Sequence, residues 1–351
     1  MKKYIYIIIV TCFALSCENE IPFDIKENPP KLIINALFDA GKEKNEIILA
    51  LTGREKVTYL NKATIDIYIN GELKEHLTEP DLVYPPEQYQ GEGPINRTYR
   101  TKIRFVPGDV VKIEAKTNDG NYQAWSEVTV PHPINIENVD ATIVKRNTMW
   151  NTSNKHLRVK TTFTDNDPQA NYYRIAMLFD FQIETQNPTT LKDTTIYQTV
   201  TETLLVNEDV VLTDGRPTTE DDDIGLLTPV ENRYGVFDNS RINGTYTMIT
   251  SMKIPSSPFG YTGYYAPDWY EYIKQIKVNA RVRLMSLSKI QYFYLKALNT
   301  YESVDYDDYF NLPVKFSSNI EGGTGIFGIS TGNEIIIPLK DDISTLSDEE
   351  D

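Results

Sequence analysis

The sequence predicts a mainly β protein: an N-terminal immunoglobulin-like β-sandwich, then a second β-rich domain that carries one main α-helix. Three observations predict it. Short β-branched runs recur along the chain, separated by turns rich in glycine, asparagine and proline. Only residues 288–302 repeat their apolar side chains at helical spacing. At 351 residues the chain suits about two domains.

The first residues belong to neither domain. Lys2 and Lys3 precede an apolar run over 4–15, which ends at Ser16-Cys17. A basic start and an apolar core of this length read as a signal peptide over 1–16. A bilayer span takes ~20 apolar residues, so the run is short for a membrane helix. Ala14-Leu15-Ser16-Cys17 is similar to a lipobox, although Ala14 stands where a larger aliphatic residue is common. The likeness implies cleavage before Cys17 and lipid on its thiol and new amine. An ordinary secretory leader with an incidental cysteine is the competing reading. Cys12 and Cys17 are the only cysteines, so the mature body is expected to rest on burial and strand pairing without a disulfide. Residues 17–30, polar and proline-bearing, read as a tether.

Residues 31–131 hold the expected sandwich. Its first strands are the β-branched runs at 32–38, 46–51 and 63–69; Asn70-Gly71 then fits a hairpin turn. Over 99–105, Tyr99, Thr101, Ile103 and Phe105 alternate with Arg100, Lys102 and Arg104. Pro107-Gly108-Asp109 and Asn118-Asp119-Gly120 turn the chain into strands at 110–115 and 122–130. About seven short strands in this span match an immunoglobulin-like pattern, without its inter-sheet cysteine pair. Pro131-His132-Pro133 is the expected boundary.

Residues 134–340 form the second domain, with strands expected at 157–164, 172–181 and 277–284. Asp165-Asn166-Asp167-Pro168 reads as a turn and 186–195 as a loop. Ser288 and Gln291 have capping-box spacing at the start of the helix near 288–302. Its stripe of Ile290, Phe293, Tyr294, Ala297, Leu298 and Tyr301 is expected to face the core. Two short strands, 326–329 and 334–337, are expected around a Thr331-Gly332-Asn333 turn, followed by an acidic tail over 341–351.

A formal net charge of −15 repels phosphate backbones and disfavours a nucleic-acid role. Gly323, Gly325 and Gly328 spell G-x-G-x-x-G, but no helix can start after them, so no dinucleotide cofactor is expected. With Gly322 they read as structural glycines that permit positive φ and close backbone approach. Asp165, Asn166 and Asp167, and the acids Glu220, Asp221, Asp222 and Asp223, could offer oxygens to calcium. Neither stretch has an EF-hand pattern, and no metal is expected. His76, His132 and His156 lie in no H-E-x-x-H motif, and there is no G-x-S-x-G elbow. No catalytic residue is assigned, and the chain is not expected to be an enzyme; an uncharacterised hydrolase is the weaker alternative. The most suggestive contact segment is aromatic: Tyr261, Tyr264, Tyr265, Trp269 and Tyr270 lie close together among turn residues. Such rings anchor partners when exposed, or pack a loop onto the domain when buried.

Leu287-Ser288, Tyr292-Phe293-Tyr294-Leu295, Pro313-Val314 and the block from Ser318 to Gly328 together resemble the domain-of-unknown-function 4249 family. Asn171-Tyr172-Tyr173-Arg174, Phe237-Asp238, Ile242-Asn243-Gly244 and Asn61-Lys62-Ala63 agree, and the likeness covers nearly the whole mature chain. Thr324 departs, because a larger apolar residue is usual there. The resemblance implies an outer-membrane lipoprotein of Bacteroidota, on the periplasmic or cell-surface face, often encoded near TonB-dependent transporters. It supplies no catalytic residues. The expected function is a lipid-anchored, non-catalytic accessory of such an uptake system, with the transporter as partner. A surface adhesin or structural lipoprotein is the alternative.

Overall fold

The computed structural model describes residues 29–53, 57–60, 62–83, 96–147, 153–187, 190–206, 208–215, 232–255, 272–303 and 314–339. Cys17, the aromatic residues Tyr261, Tyr264, Tyr265, Trp269 and Tyr270, the acids at 220–223 and the tail at 341–351 lie outside the described residues.

The protein is mainly β, with one α-helix among the described residues. The first part contains β1 (Leu32–Asp39), β2 (Asn45–Leu51), β3 (Thr58–Tyr59), β4 (Ala63–Ile69), β5 (Glu72–Leu77), β6 (Asp81–Val83), β7 (Asn96–Thr101), β8 (Val110–Thr117) and β9 (Gln123–Thr129). The second contains β10 (Ile136–Asn147), β11 (Ser153–Asp165), β12 (Tyr172–Gln186), β13 (Asp193–Val200), β14 (Leu204–Leu205), β15 (Val236–Asp238), β16 (Gly244–Lys253), β17 (Ile273–Leu287), helix α1 (Lys289–Tyr301) and β18 (Gly323–Leu339).

A long sheet runs in the order β13-β12-β17-β18-β1-β2-β7-β6, with β15 beside β12 and β3 beside β2. Two four-stranded sheets, β5-β4-β8-β9 and β10-β11-β16-β14, complete the described fold. One core lies between β5-β4-β8-β9 and the β18-β1-β2-β7 part of the long sheet; its last residue before the proline pair is Val130. The other begins at Ile134 and lies between β10-β11-β16-β14 and the β12-β17 part. Phe327 and Ile329 enter the first core, while Ile337 and Leu339 pack on the second. All four share one parity along β18. Since side chains alternate across a strand, both small sheets cover the same face of the long sheet. Helix α1 packs on the opposite face, over Val236, Met285 and Leu287.

The first part therefore departs from a self-contained seven-stranded sandwich, because a strand from the far end of the chain sits inside its sheet. The hand-over is sharp. Residues 323–330 of β18 pair in parallel with β1, from Leu32↔Gly323 to Asp39↔Ser330. From Ser330 to Leu339 the strand pairs antiparallel with β17. The expected pair of short strands around Thr331-Gly332-Asn333 is thus one continuous strand. These residues look like a turn because they are small and polar, but each has a tertiary task. Thr331 Oγ1 donates to Pro131 O at 2.8 Å, and Asn333 Nδ2 donates to Ile134 O at 2.9 Å. A Cβ on Gly332 would lie 2.6 Å from Met285 Cγ and 2.8 Å from Leu284 O. The polar side chains fasten the linker between the cores, and the glycine admits β17.

Local expectations fare unevenly. Asn70 (φ 51°) and Gly71 (φ 82°) make the expected hairpin turn. The ladder of β7 stops at Thr101, yet Phe105 still turns inward, its amide donating to Ala40 O at 3.2 Å. The span 186–195 is not all loop, since Asp193, Thr194 and Thr195 already pair with β12. β10, β13 and β16 carry no strong apolar alternation; two are sheet edges, and such strands are set by their neighbours.

On the outer face of β8, Glu114 accepts from Lys112 Nζ at 3.0 Å and from Gln123 Nε2 at 2.5 Å. The Lys112 bond, then the Gln123 bond against the cost of burial, holds its carboxyl below the ordinary value. A depressed folded pKa stabilises above the unfolded value and loses that contribution as pH falls through the folded one. Glu114→Gln is therefore expected to weaken the protein near neutral pH and to shrink the gap from wild type under acid. Urea midpoints across this range check the sign.

Candidate functional site

A concavity among the described residues opens where the two parts meet. It encloses about 800 Å³. One wall is the end of β9 with the linker from Pro131 to Asn135; another is the turn from Asp165 to Asn171, leading into Tyr172 and Tyr173. The floor is the β17–α1 junction, from Ser286 to Lys289. A smaller apolar groove of about 540 Å³ adjoins it, sharing Thr129, Ser288 and Lys289 and adding Val128, Ile290 and Phe293.

The linker wall is held by Thr331 and Asn333. The turn wall is braced internally. Asp165 Oδ1 accepts from the Asp167 amide at 2.9 Å, and Asp165 Oδ2 accepts from the Tyr173 hydroxyl at 2.6 Å. Asn239 Nδ2 donates to Asp167 O at 3.2 Å and Gln169 O at 2.8 Å. Burial, and then the bond to Asp165, raises the Tyr173 hydroxyl well above the ordinary tyrosine value, so it stays a donor at neutral pH. These acids serve turn geometry. No group of three or more His, Cys, Asp or Glu side chains suited to a metal occurs among the described residues.

The floor corrects the expected capping box. Ser288 is the N-cap, but its side chain makes no cap hydrogen bond. Its Oγ instead accepts from the Ile329 amide at 3.1 Å, while its own amide donates to Ile329 O at 2.9 Å. Ser288 thus continues the β17–β18 ladder, and the first amides of α1 lack the usual side-chain acceptor at the cleft. Gln291 does not reach back either; it is 6% exposed, and its Oε1 has no partner.

The helix stripe is corrected in part: Tyr294 and Leu298 pack against the core as expected, but the face is rotated. The buried residues of α1 are Gln291, Tyr292, Leu295 and Asn299, whereas Phe293 is 43% and Tyr301 48% exposed. Asn299 explains the rotation: its Nδ2 donates to Asn232 Oδ1 at 2.9 Å, and its Oδ1 accepts from the Tyr234 amide at 3.1 Å. Polar residues that complete a buried network outrank apolar ones for the inward face. Tyr172 carries this packing toward the cleft, its ring 4.7 Å from Tyr292 and 5.8 Å from Phe293. Burial pushes the Tyr292 hydroxyl up to about 12, against the opposing pull of Lys296.

The structural glycines sit just behind this floor. Gly322 has φ +74° and Gly325 φ +108°. A Cβ on Gly322 would meet Gln123 O at 2.7 Å; on Gly323, Leu32 O at 2.3 Å; on Gly325, Ile34 O at 2.3 Å; on Gly328, Gln291 Cβ at 2.8 Å. The block lets β18 approach β1, β9 and the helix closely.

The family description "Domain of unknown function (DUF4249)" matches residues 18–335. The chain belongs to this family. No curated protein matches it. Within this DUF4249 chain, His132 lines the cleft, while His76 lies on the outer face of β5 with its Nδ1 2.5 Å from Asp66 Oδ1. His156 is buried in β11. No helix of the described residues is long and apolar enough to cross a membrane. Sequence reading overlooked Lys289 and the linker as cleft-forming residues. Their signal was indirect: Leu287-Ser288 and Asn171-Tyr172-Tyr173-Arg174 carried the family resemblance, and both stretches contribute to the cleft or stand beside it.

Proposed function

We propose that this DUF4249 protein is a lipid-anchored outer-membrane lipoprotein, a non-catalytic accessory of a TonB-dependent uptake system that offers its junction cleft to the captured ligand or the transporter. The observation that carries this reading is the cleft, a polar concavity walled by both parts of the chain and continuous with an apolar groove. Concave sites of this size at the meeting of two units are where ligands bind most often. The anchor reading is supported by the lipobox-like Ala14-Leu15-Ser16-Cys17 and by a family match that starts at residue 18. The aromatic residues Tyr261, Tyr264, Tyr265, Trp269 and Tyr270 are the proposed second contact.

A photo-crosslinking residue in place of Phe293, in cells of the natural host, tests the proposal. The expected result is an adduct with a TonB-dependent transporter, absent when the crosslinker replaces exposed Lys116 on the outer face of β8. Cys17→Ala is expected to release the chain from membranes and abolish the adduct. Equal labelling from both positions, or membrane retention of Cys17→Ala, would overturn it and favour a structural spacer or a different anchor.

A further inference from the structure

Arg174 stands on the helix-covered face of the long sheet, outside the cleft. It sits in β12 between β15 and β17, registered with Val236 on one side and Met285 on the other. Both neighbours are buried. Its stem is therefore packed between apolar side chains and its guanidinium is held in place. Nε donates to Tyr234 O at 2.9 Å, and the group lies over the Tyr234 ring at 5.7 Å.

The rest of the fork is unmet. Among the described residues no carboxylate pairs with Arg174, and its Nη atoms have no acceptor. They are not sealed off, because neither is among the buried polar atoms without a partner. The charged side chain that bears on the group is unfavourable. Burial first, and then Arg283, pulls the Arg174 pKa below its ordinary value. Arg283 itself is answered by Asp39 at 2.6 Å and Glu334 at 3.3 Å. Other cations of this face also have partners: Arg281 binds Asp180 at 2.7 Å, and Lys277 binds Glu184 at 3.1 Å. A partly desolvated cation costs free energy unless an anion answers it. A rigid guanidinium edge with two adjacent N–H donors matches a planar carboxylate.

We propose that Arg174 is a carboxylate-binding site, in which the free Nη edge takes the two oxygens of a ligand or partner carboxyl group while Tyr234 fixes the other edge. The site does not depend on the cleft reading, since none of the cleft lining contributes to it.

Thermal unfolding of the full mature chain tests it, with sodium acetate as the probe against sodium chloride at matched ionic strength and pH 7. Wild type is expected to gain about 2 °C in acetate. Arg174→Met, which keeps the stem and removes the charge, is expected to lose this gain yet unfold no lower than wild type in chloride. Arg174→Lys keeps the charge without the fork and is expected to retain less than half the gain. An unchanged acetate response in Arg174→Met, or no response in wild type, overturns the proposal. So does a clear fall in the chloride midpoint of Arg174→Met, which would show that the fixed contacts alone satisfy the arginine.

Discussion

Ending the chain at Glu321 is expected to remove cooperative unfolding from both parts of the protein, although only the last strand is lost. β18 supplies Phe327 and Ile329, both fully buried, to the first core, and Ile337 and Leu339 to the second. Phe327 meets Phe38 edge-on at 5.2 Å, and Phe38 stacks on Phe105 at 5.4 Å, so the missing strand also uncovers one side of the central ring of an aromatic cluster. Each buried side chain of this size contributes roughly 1.5–3 kcal/mol. Two of them approach the lower end of a domain's whole stability of about 5–15 kcal/mol, before any ladder bond is counted. Removal also strips one edge of β1 and one of β17, and unpaired edges promote aggregation. The linker would lose its bonds to Thr331 and Asn333. Circular dichroism and urea unfolding of the shortened chain give the answer. A first part that still melts in one sharp transition would mean that β18 is an accessory to that sandwich rather than a member of it.

Gly325→Ala is expected to cost about 2–6 kcal/mol, from two terms. At φ +108° a side chain is strained by roughly 1–3 kcal/mol. The new Cβ would lie 2.3 Å from Ile34 O, which must move although it belongs to the buried parallel ladder, and overpacking of this kind costs about 1–3 kcal/mol. Gly71→Ala separates the terms, because Gly71 also has positive φ (+82°) but nothing within 4 Å of a Cβ. It is expected to cost about 1 kcal/mol, through the backbone alone. Urea midpoints of both variants measure the difference. Equal losses would show that backbone conformation, not contact with β1, is why residue 325 is glycine.

Much of the fold could be read along the chain. β1, β2, β4, β8 and β9 lie where short apolar alternation places them, because each is a strand with one face on a core and one in water. The hairpin at Asn70-Gly71 follows from the few residues that tolerate positive φ. The cleft was far less legible. Its walls come from 129–135, 164–173 and 286–289, stretches separated by dozens of residues and dominated by small polar side chains. Such residues look like ordinary turns until their partners are known. The helix was found, but its inward face only in part: Tyr294 and Leu298 pack on the core, whereas hydropathy ranks Phe293 above Asn299 and the buried network with Asn232 reverses that order.

The sequence alone determined the class of structure, the position of the helix and the glycine block, because each depends on periods and backbone preferences contained within a few neighbouring residues. Only the tertiary structure decided that the C-terminal strand is shared by both cores, that Ser288 serves a sheet rather than a cap, and that Arg174 is left with an open edge. Those outcomes depend on which distant segments come together: Leu32 beside Gly323, Ile329 beside Ser288, Met285 and Val236 on either side of Arg174. Pairings over such separations are settled by the burial of whole faces, and no local window contains that information.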